Sequence, residues 1–124
     1  MNKKILIVED EVSLLTALTD KFTREKFTVL TSINGKDGLK SALSNHPDII
    51  LLDIVMPIMD GITMLHKLRD DDWGKSVKII LLTNLSNPQP GKVTKSLIKS
   101  ASGYLVKSDW KIVDVVNQVN KLLE

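Results

Sequence analysis

Five residues whose chemistry goes together each stand at the end of a short apolar run. Glu9 and Asp10 follow Ile5-Leu6-Ile7-Val8, Asp53 follows Ile49-Ile50-Leu51-Leu52, Thr83 follows Ile79-Ile80-Leu81-Leu82, and Lys107 follows Tyr104-Leu105-Val106. Three carboxylates brought close repel one another and raise each other's proton affinity. Gathering them costs stability unless a cation sits among them. All-oxygen ligands suit a hard ion, and a partly open site that keeps water suits magnesium. A carboxylate held on a rigid strand end can then attack a phosphoryl group and form an aspartyl phosphate. An ammonium and a hydroxyl beside it can hold the remaining phosphoryl oxygens. Each residue alone also has a plainer reading. Asp10 could cap a helix, Asp53 could end a strand, Thr83 could be a β-branched strand residue, and Lys107 could be a solvated charge.

These residues matter together only if the fold brings the strand ends to one edge. Lys4–Val8, residues 48–53 and Lys78–Thr83 are apolar without alternation, the pattern of parallel strands covered on both faces. Residues 27–33 and Gly103–Val106 are weaker strand candidates. Helical spacing of apolar residues covers 11–26, Gly35–Asn45, 60–69, 91–101 and 109–123, with breakers at Asn34-Gly35, His46-Pro47, Trp73-Gly74 and Asn87-Pro88-Gln89-Pro90-Gly91. Five strands alternating with five helices predict an α/β fold, a five-stranded parallel sheet flanked by helices with right-handed crossovers. In such sheets ligands bind beyond the carboxyl ends of the strands, which is where the five residues fall.

Composition narrows the function classes. A chain of 124 residues with 43% hydrophobic residues is expected to be one domain over 1–124. Without cysteine it has no disulfide, thiolate metal site or cysteine nucleophile. A net charge of +2 gives no argument for direct nucleic-acid binding. The apolar run after Met1-Asn2-Lys3-Lys4 is too short for a signal peptide, and nothing approaches a membrane span, so a cytoplasmic location without membrane insertion is expected.

The ordered pieces Ile7-Val8-Glu9-Asp10, Leu51-Leu52-Asp53-Ile54-Val55-Met56-Pro57-Ile58-Met59-Asp60-Gly61, Leu82-Thr83 and Gly103-Tyr104-Leu105-Val106-Lys107 resemble the receiver domain of two-component response regulators. The segment from Asp53 to Gly61 is the most specific of them. The resemblance runs from Lys3 into the last helix. It implies a flavodoxin-like sheet of order 2-1-3-4-5 and a phosphorylation-dependent switch, not an enzyme with an external product. It implies Asp53 as phosphoacceptor, with Lys107 and Thr83 on the phosphoryl group. Magnesium would be held by Asp10, Asp53 and the Val55 backbone carbonyl, with Glu9 acting mainly through water. Tyr104 would be the aromatic switch partner of Thr83. The implied phosphodonor is a sensor histidine kinase or a histidine phosphotransfer protein. Output to a downstream protein would pass through the fourth predicted helix, the fifth strand and the fifth predicted helix.

Some positions depart from the family pattern. Ser108 stands where a cis-linked proline usually follows the lysine, so this bond either carries the cost of a non-proline cis peptide or is trans. Asn84 stands where a very small residue usually follows the threonine, and it is expected to slow phosphotransfer from small donors or hydrolysis. Val55, two residues after the acceptor, has no side chain to orient water, which predicts a long-lived phosphoryl state. Ser86-Asn87-Pro88-Gln89-Pro90 makes a stiff and somewhat long loop.

Other features have ordinary readings. Asp70-Asp71-Asp72 reads as a solvated loop, and His46 and His66 as surface residues. Lys92, Lys95 and Lys99 form a solvated face or a partner surface near Tyr104 and Trp110. Three other functions compete. A flavin carrier would need a hydroxyl- and glycine-rich phosphate loop where Glu9-Asp10-Glu11 stands. An aspartyl phosphohydrolase commonly carries a second Asp where Val55 stands. A receiver that has lost its chemistry would not keep Asp10, Asp53, Thr83 and Lys107.

Overall fold

The unbroken apolar runs form the middle of a five-stranded sheet. The structure is a computed structural model that describes residues 3–83, 99–107 and 110–124. The strands are β1 (Lys4–Val8), β2 (Thr28–Ser32), β3 (Ile49–Asp53), β4 (Lys78–Thr83) and β5 (Gly103–Val106). The helices are α1 (Val12–Arg24), α2 (Gly35–Asn45), α3 (Gly61–Arg69) and α4 (Ile112–Leu123). The order is β2-β1-β3-β4-β5, and every pairing is parallel, as expected. The two weaker strand candidates are the edges. An edge strand needs less apolar surface, and β2 and β5 are mostly half-buried.

Four helices are described where five are expected. Of the predicted fourth, residues 91–98 lie outside the described residues, while Lys99 and Ser100 at its end are helical. The last predicted helix is α4. It starts at Ile112 rather than near 109, with Lys111 as its extended N-cap residue, whose N–H donates to the Asp114 carboxylate at 2.7 Å. The expectations for Asn84, the 86–90 loop, Lys92, Lys95 and the Lys107–Ser108 bond also fall outside the described residues.

Strand side chains alternate between two faces. Leu6, Val8, Ile50, Leu52, Ile79 and Leu81 pack with α2 and α3, whereas Ile5, Ile7, Ile49, Leu51, Ile80 and Leu82 pack with α1 and α4. Continuing the second series one step past the apolar run gives Glu9 after Ile7 and Asp53 after Leu51. Leu105 belongs to the same face, and Lys107 follows it at the same spacing. The alternation that buries the core therefore turns two carboxylates and one ammonium towards a common point at the carboxyl edge.

Candidate functional site

Glu9 is fully buried and Asp53 almost so, whereas Asp10 is exposed. One carboxylate oxygen from each of the three lies within 4.8 Å of the others. Lys107 closes the group. Its Nζ is 2.5 Å from Glu9 Oε1 and 3.4 Å from Asp53 Oδ1, and its side chain is nearly buried. The reading of Lys107 as a solvated charge does not hold. Neither does the reading of Asp10 as a cap, because Glu11 is the N-cap residue of α1. The Glu11 N–H donates to Glu9 Oε2 at 3.1 Å, which leaves Asp10 free of that task.

Burial, reinforced by the charge of Glu9, pushes the Asp53 carboxyl from 3.8 up to about 7, with Lys107 pulling the other way. Burial alone would lower the proton affinity of Lys107, but Glu9 and Asp53 more than offset it and the net shift is upward. The ammonium is thus held charged between two carboxylates, one of which keeps an accessible proton equilibrium near neutrality. The oxygen-only donor set, with excess negative charge and one exposed member, fits a hard divalent ion.

The loop after β3 is fastened from two sides. The Ile54 N–H donates to Leu82 O at 3.1 Å, and the Gly61 N–H donates to Ile54 O at 2.9 Å. Asp60 caps α3 by accepting from the Thr63 N–H at 2.7 Å. A Cβ on Gly61 would lie 2.1 Å from Asp53 O, so only glycine lets α3 start against the backbone of Asp53. Gly35 makes a similar approach from α2: its N–H donates to Met59 O at 2.8 Å, and a Cβ there would meet that oxygen at 2.3 Å. In the sequence these glycines stand out only as turn and breaker signals. Their specific task is to let two helices approach the loop that follows Asp53.

A response regulator receiver domain profile matches residues 5–119. The chain belongs to that family. Curated relatives are response regulators. PleD of Caulobacter vibrioides is 37% identical over 107 residues, covering 86% of this chain and 23% of PleD. ArlR of Staphylococcus aureus is 38% identical over 120 residues, covering 97% of this chain and 52% of ArlR. The receiver chain thus spans about half, or less, of the length of these relatives. Among solved structures, response regulator TrrA of Thermotoga maritima, in complex with Mg(2+)-BeF, superposes with a TM-score of 0.83 at 31% identity, covering 97% of this chain and 98% of that one. Chemotaxis response regulator CheY4 of Vibrio cholerae shares the fold, with a TM-score of 0.86 at 24% identity and 98% coverage of both chains.

The receiver fold places the remaining expected residues as follows. Thr83 ends β4, where its backbone pairs with Val106, and its side chain lies outside the described set. Tyr104 pairs with Leu81 and is half-buried against the α2–α3 side of the core. Its hydroxyl is out of water and without a hydrogen-bond partner among the described residues. Val55 lies in the loop after β3 with its side chain exposed. Trp110 packs against the α1–α4 side. His46 is exposed and stacks on Trp73, with ring centroids 4.3 Å apart. No described helix is long and apolar enough to cross a membrane.

Proposed function

We propose that this receiver domain is a magnesium-dependent signalling switch phosphorylated on Asp53 by a sensor histidine kinase or a histidine phosphotransfer protein. The observation that carries the reading is the buried Asp53 carboxylate with Lys107 at 3.4 Å and oxygens of Glu9 and Asp10 within 4.8 Å. An ionised Asp53 oxygen attacks phosphorus, a new P–O bond forms, and the P–N bond to the donor imidazole breaks. The electron pair of that bond leaves with the imidazole, which takes up a proton. Lys107 favours the ionised form of Asp53 against burial and Glu9 and faces the incoming phosphoryl oxygens, while Thr83 offers its hydroxyl to one of them. Asp10, Asp53 and the Val55 carbonyl would hold Mg2+, with Glu9 acting through water; the bound ion supplies charge neutralisation for the phosphoryl oxygens. The magnesium-bearing relative TrrA and the PA1611 receiver domain of Pseudomonas aeruginosa, solved with magnesium in its active-site cleft, support this assignment.

A protein donor suits the rim. Val12, Ile33, Val55 and Ile58 all lie beyond the carboxyl ends of the strands and are 70%, 55%, 71% and 78% exposed. Such an apolar rim around a charged centre is what a partner helix covers while presenting its phosphohistidine. Phosphorylation then favours the state in which Thr83 and Lys107 bind the phosphoryl group better, with Tyr104 following Thr83. Output to a downstream protein passes through the face formed by the predicted fourth helix, β5 and α4.

The test is incubation with Mg2+ and acetyl phosphate, read by intact mass. Wild type is expected to gain one phosphoryl group and Asp53→Asn none. Modification of Asp53→Asn to the same extent, or an unmodified wild type, would overturn the reading.

A further inference from the structure

At the opposite end of the sheet, Arg69 closes α3 with its guanidinium turned inward. Its Nε donates to Ser100 O at 2.8 Å, and its Nη1 donates to Gly74 O at 2.7 Å and Val77 O at 2.8 Å. All three acceptors are neutral carbonyls. Among the described residues no carboxylate pairs with this cation. Burial lowers the Arg69 pKa from its ordinary value, as expected for a cation that has lost water without gaining a counter-charge.

Beside it lies a shallow cavity, wide open to solvent, lined by Arg69, Lys75 and Lys99 and by the hydroxyl-bearing Ser76, Ser100 and Ser102. Among the described residues the lining has three cations and no carboxylate. Lys75 also has Asp72 at 3.4 Å, but both side chains of that pair are largely exposed, so the contact is weak and Lys75 can turn. Guanidinium and ammonium donors with hydroxyls between them match a tetrahedral oxyanion.

We propose that this cavity binds a small phosphate-bearing anion, either inorganic phosphate or the phosphate of a small ester, between Arg69, Lys75 and Lys99. The site is distinct from the acceptor centre. Val77 precedes β4, and the six residues of that strand separate it from the carboxyl edge, a span of about 20 Å. The anion would bridge the end of α3 to the turn that enters β5. It would do so without competing for Asp53, and the site does not depend on the phosphoacceptor reading.

The test is an NMR titration of the full chain, without metal and at low constant ionic strength, with inorganic phosphate and separately with glycerol 3-phosphate. Saturable shifts are expected at Arg69 Nε–H and the amides of Lys75–Val77 and Ser100–Ser102. The ligand with the lower Kd identifies the preferred form. Lys75 and Lys99 are exposed, so Lys75→Gln/Lys99→Gln is expected to fold normally and to raise Kd about tenfold. Absence of saturable shifts at these residues, equal shifts with matched chloride, or an unchanged Kd in the double variant would overturn the proposal.

Discussion

Lys107 stands closer to Glu9 than to Asp53: its Nζ is 2.5 Å from Glu9 Oε1 and 3.4 Å from Asp53 Oδ1. The cation that faces Asp53 also neutralises a fully buried neighbour. Removing it leaves two largely buried carboxylates facing each other without a counter-charge. Lys107→Met is therefore expected to destabilise the metal-free domain at pH 8 by about 3 kcal/mol, the usual result of breaking a buried ion pair. The loss should shrink at pH 5, where Asp53 takes up a proton, and Mg2+ should restore part of it at pH 8. Urea unfolding at both pH values, with and without the ion, reads all three effects. Equal losses at both pH values would contradict the electrostatic account.

Asp53 itself sets a second pH dependence. Its folded carboxyl is pushed up to about 7 from 3.8, chiefly by burial and then by Glu9. Between those values the folded state binds more protons than the unfolded one, so stability falls as pH rises from about 4 to about 7. The size is on the order of 3 kcal/mol, shared with the coupled Glu9 and Lys107 charges. In Asp53→Asn this slope should flatten, and the variant should exceed wild type most above pH 7. Midpoints of chemical unfolding across pH 4–8 test this; parallel curves for the two proteins would refute it.

The central strands were legible because a parallel strand covered on both faces leaves no polar position until its end, as in Ile49–Asp53. The edges were fainter because β2 and β5 bury only part of their surface. Asp53 and Lys107 could be found as strand-end residues, but the closeness of Glu9 to Lys107 depends on side-chain parity across the sheet, which no local pattern displays. Asp10 looked like a cap until Glu11 took that position. Arg69 sits among the basic residues of the last turn of α3, and nothing in the sequence separates an inward guanidinium from a solvated one.

Gly61 gives a steric prediction with a functional readout. A methyl group there would meet the carbonyl oxygen of Asp53 at 2.1 Å, a backbone atom that cannot swing aside. Gly61→Ala should cost roughly 3 kcal/mol or more through displaced backbone. It should also weaken Mg2+ binding, because the displaced carbonyl belongs to Asp53, one of the proposed ligands. Thermal unfolding and a Mg2+ titration of the folded fraction would show both, and unchanged affinity in a destabilised variant would confine the glycine's role to packing.

Ile58 offers the opposite case, a residue whose replacement should help. It has a φ of 68°, and the Met59 N–H donates to Pro57 O at 2.7 Å across it, which makes it the centre of a γ-turn. A β-branched side chain in that region is strained by roughly 1–2 kcal/mol. The side chain is 78% exposed, so little packing offsets the strain. Ile58→Gly should therefore raise stability by up to about 1 kcal/mol, because glycine adopts a positive φ without a Cβ clash and gives back only part of that gain as unfolded-state freedom. The carboxylate–lysine cluster does not include Ile58, so on the proposed reading acetyl phosphate should modify the variant at the wild-type rate. Phosphotransfer from a histidine-phosphorylated protein should slow, because one apolar contact of the rim is gone. A variant less stable than wild type, or one that loses acetyl phosphate reactivity, would mean that the turn depends on isoleucine in a way its geometry does not show.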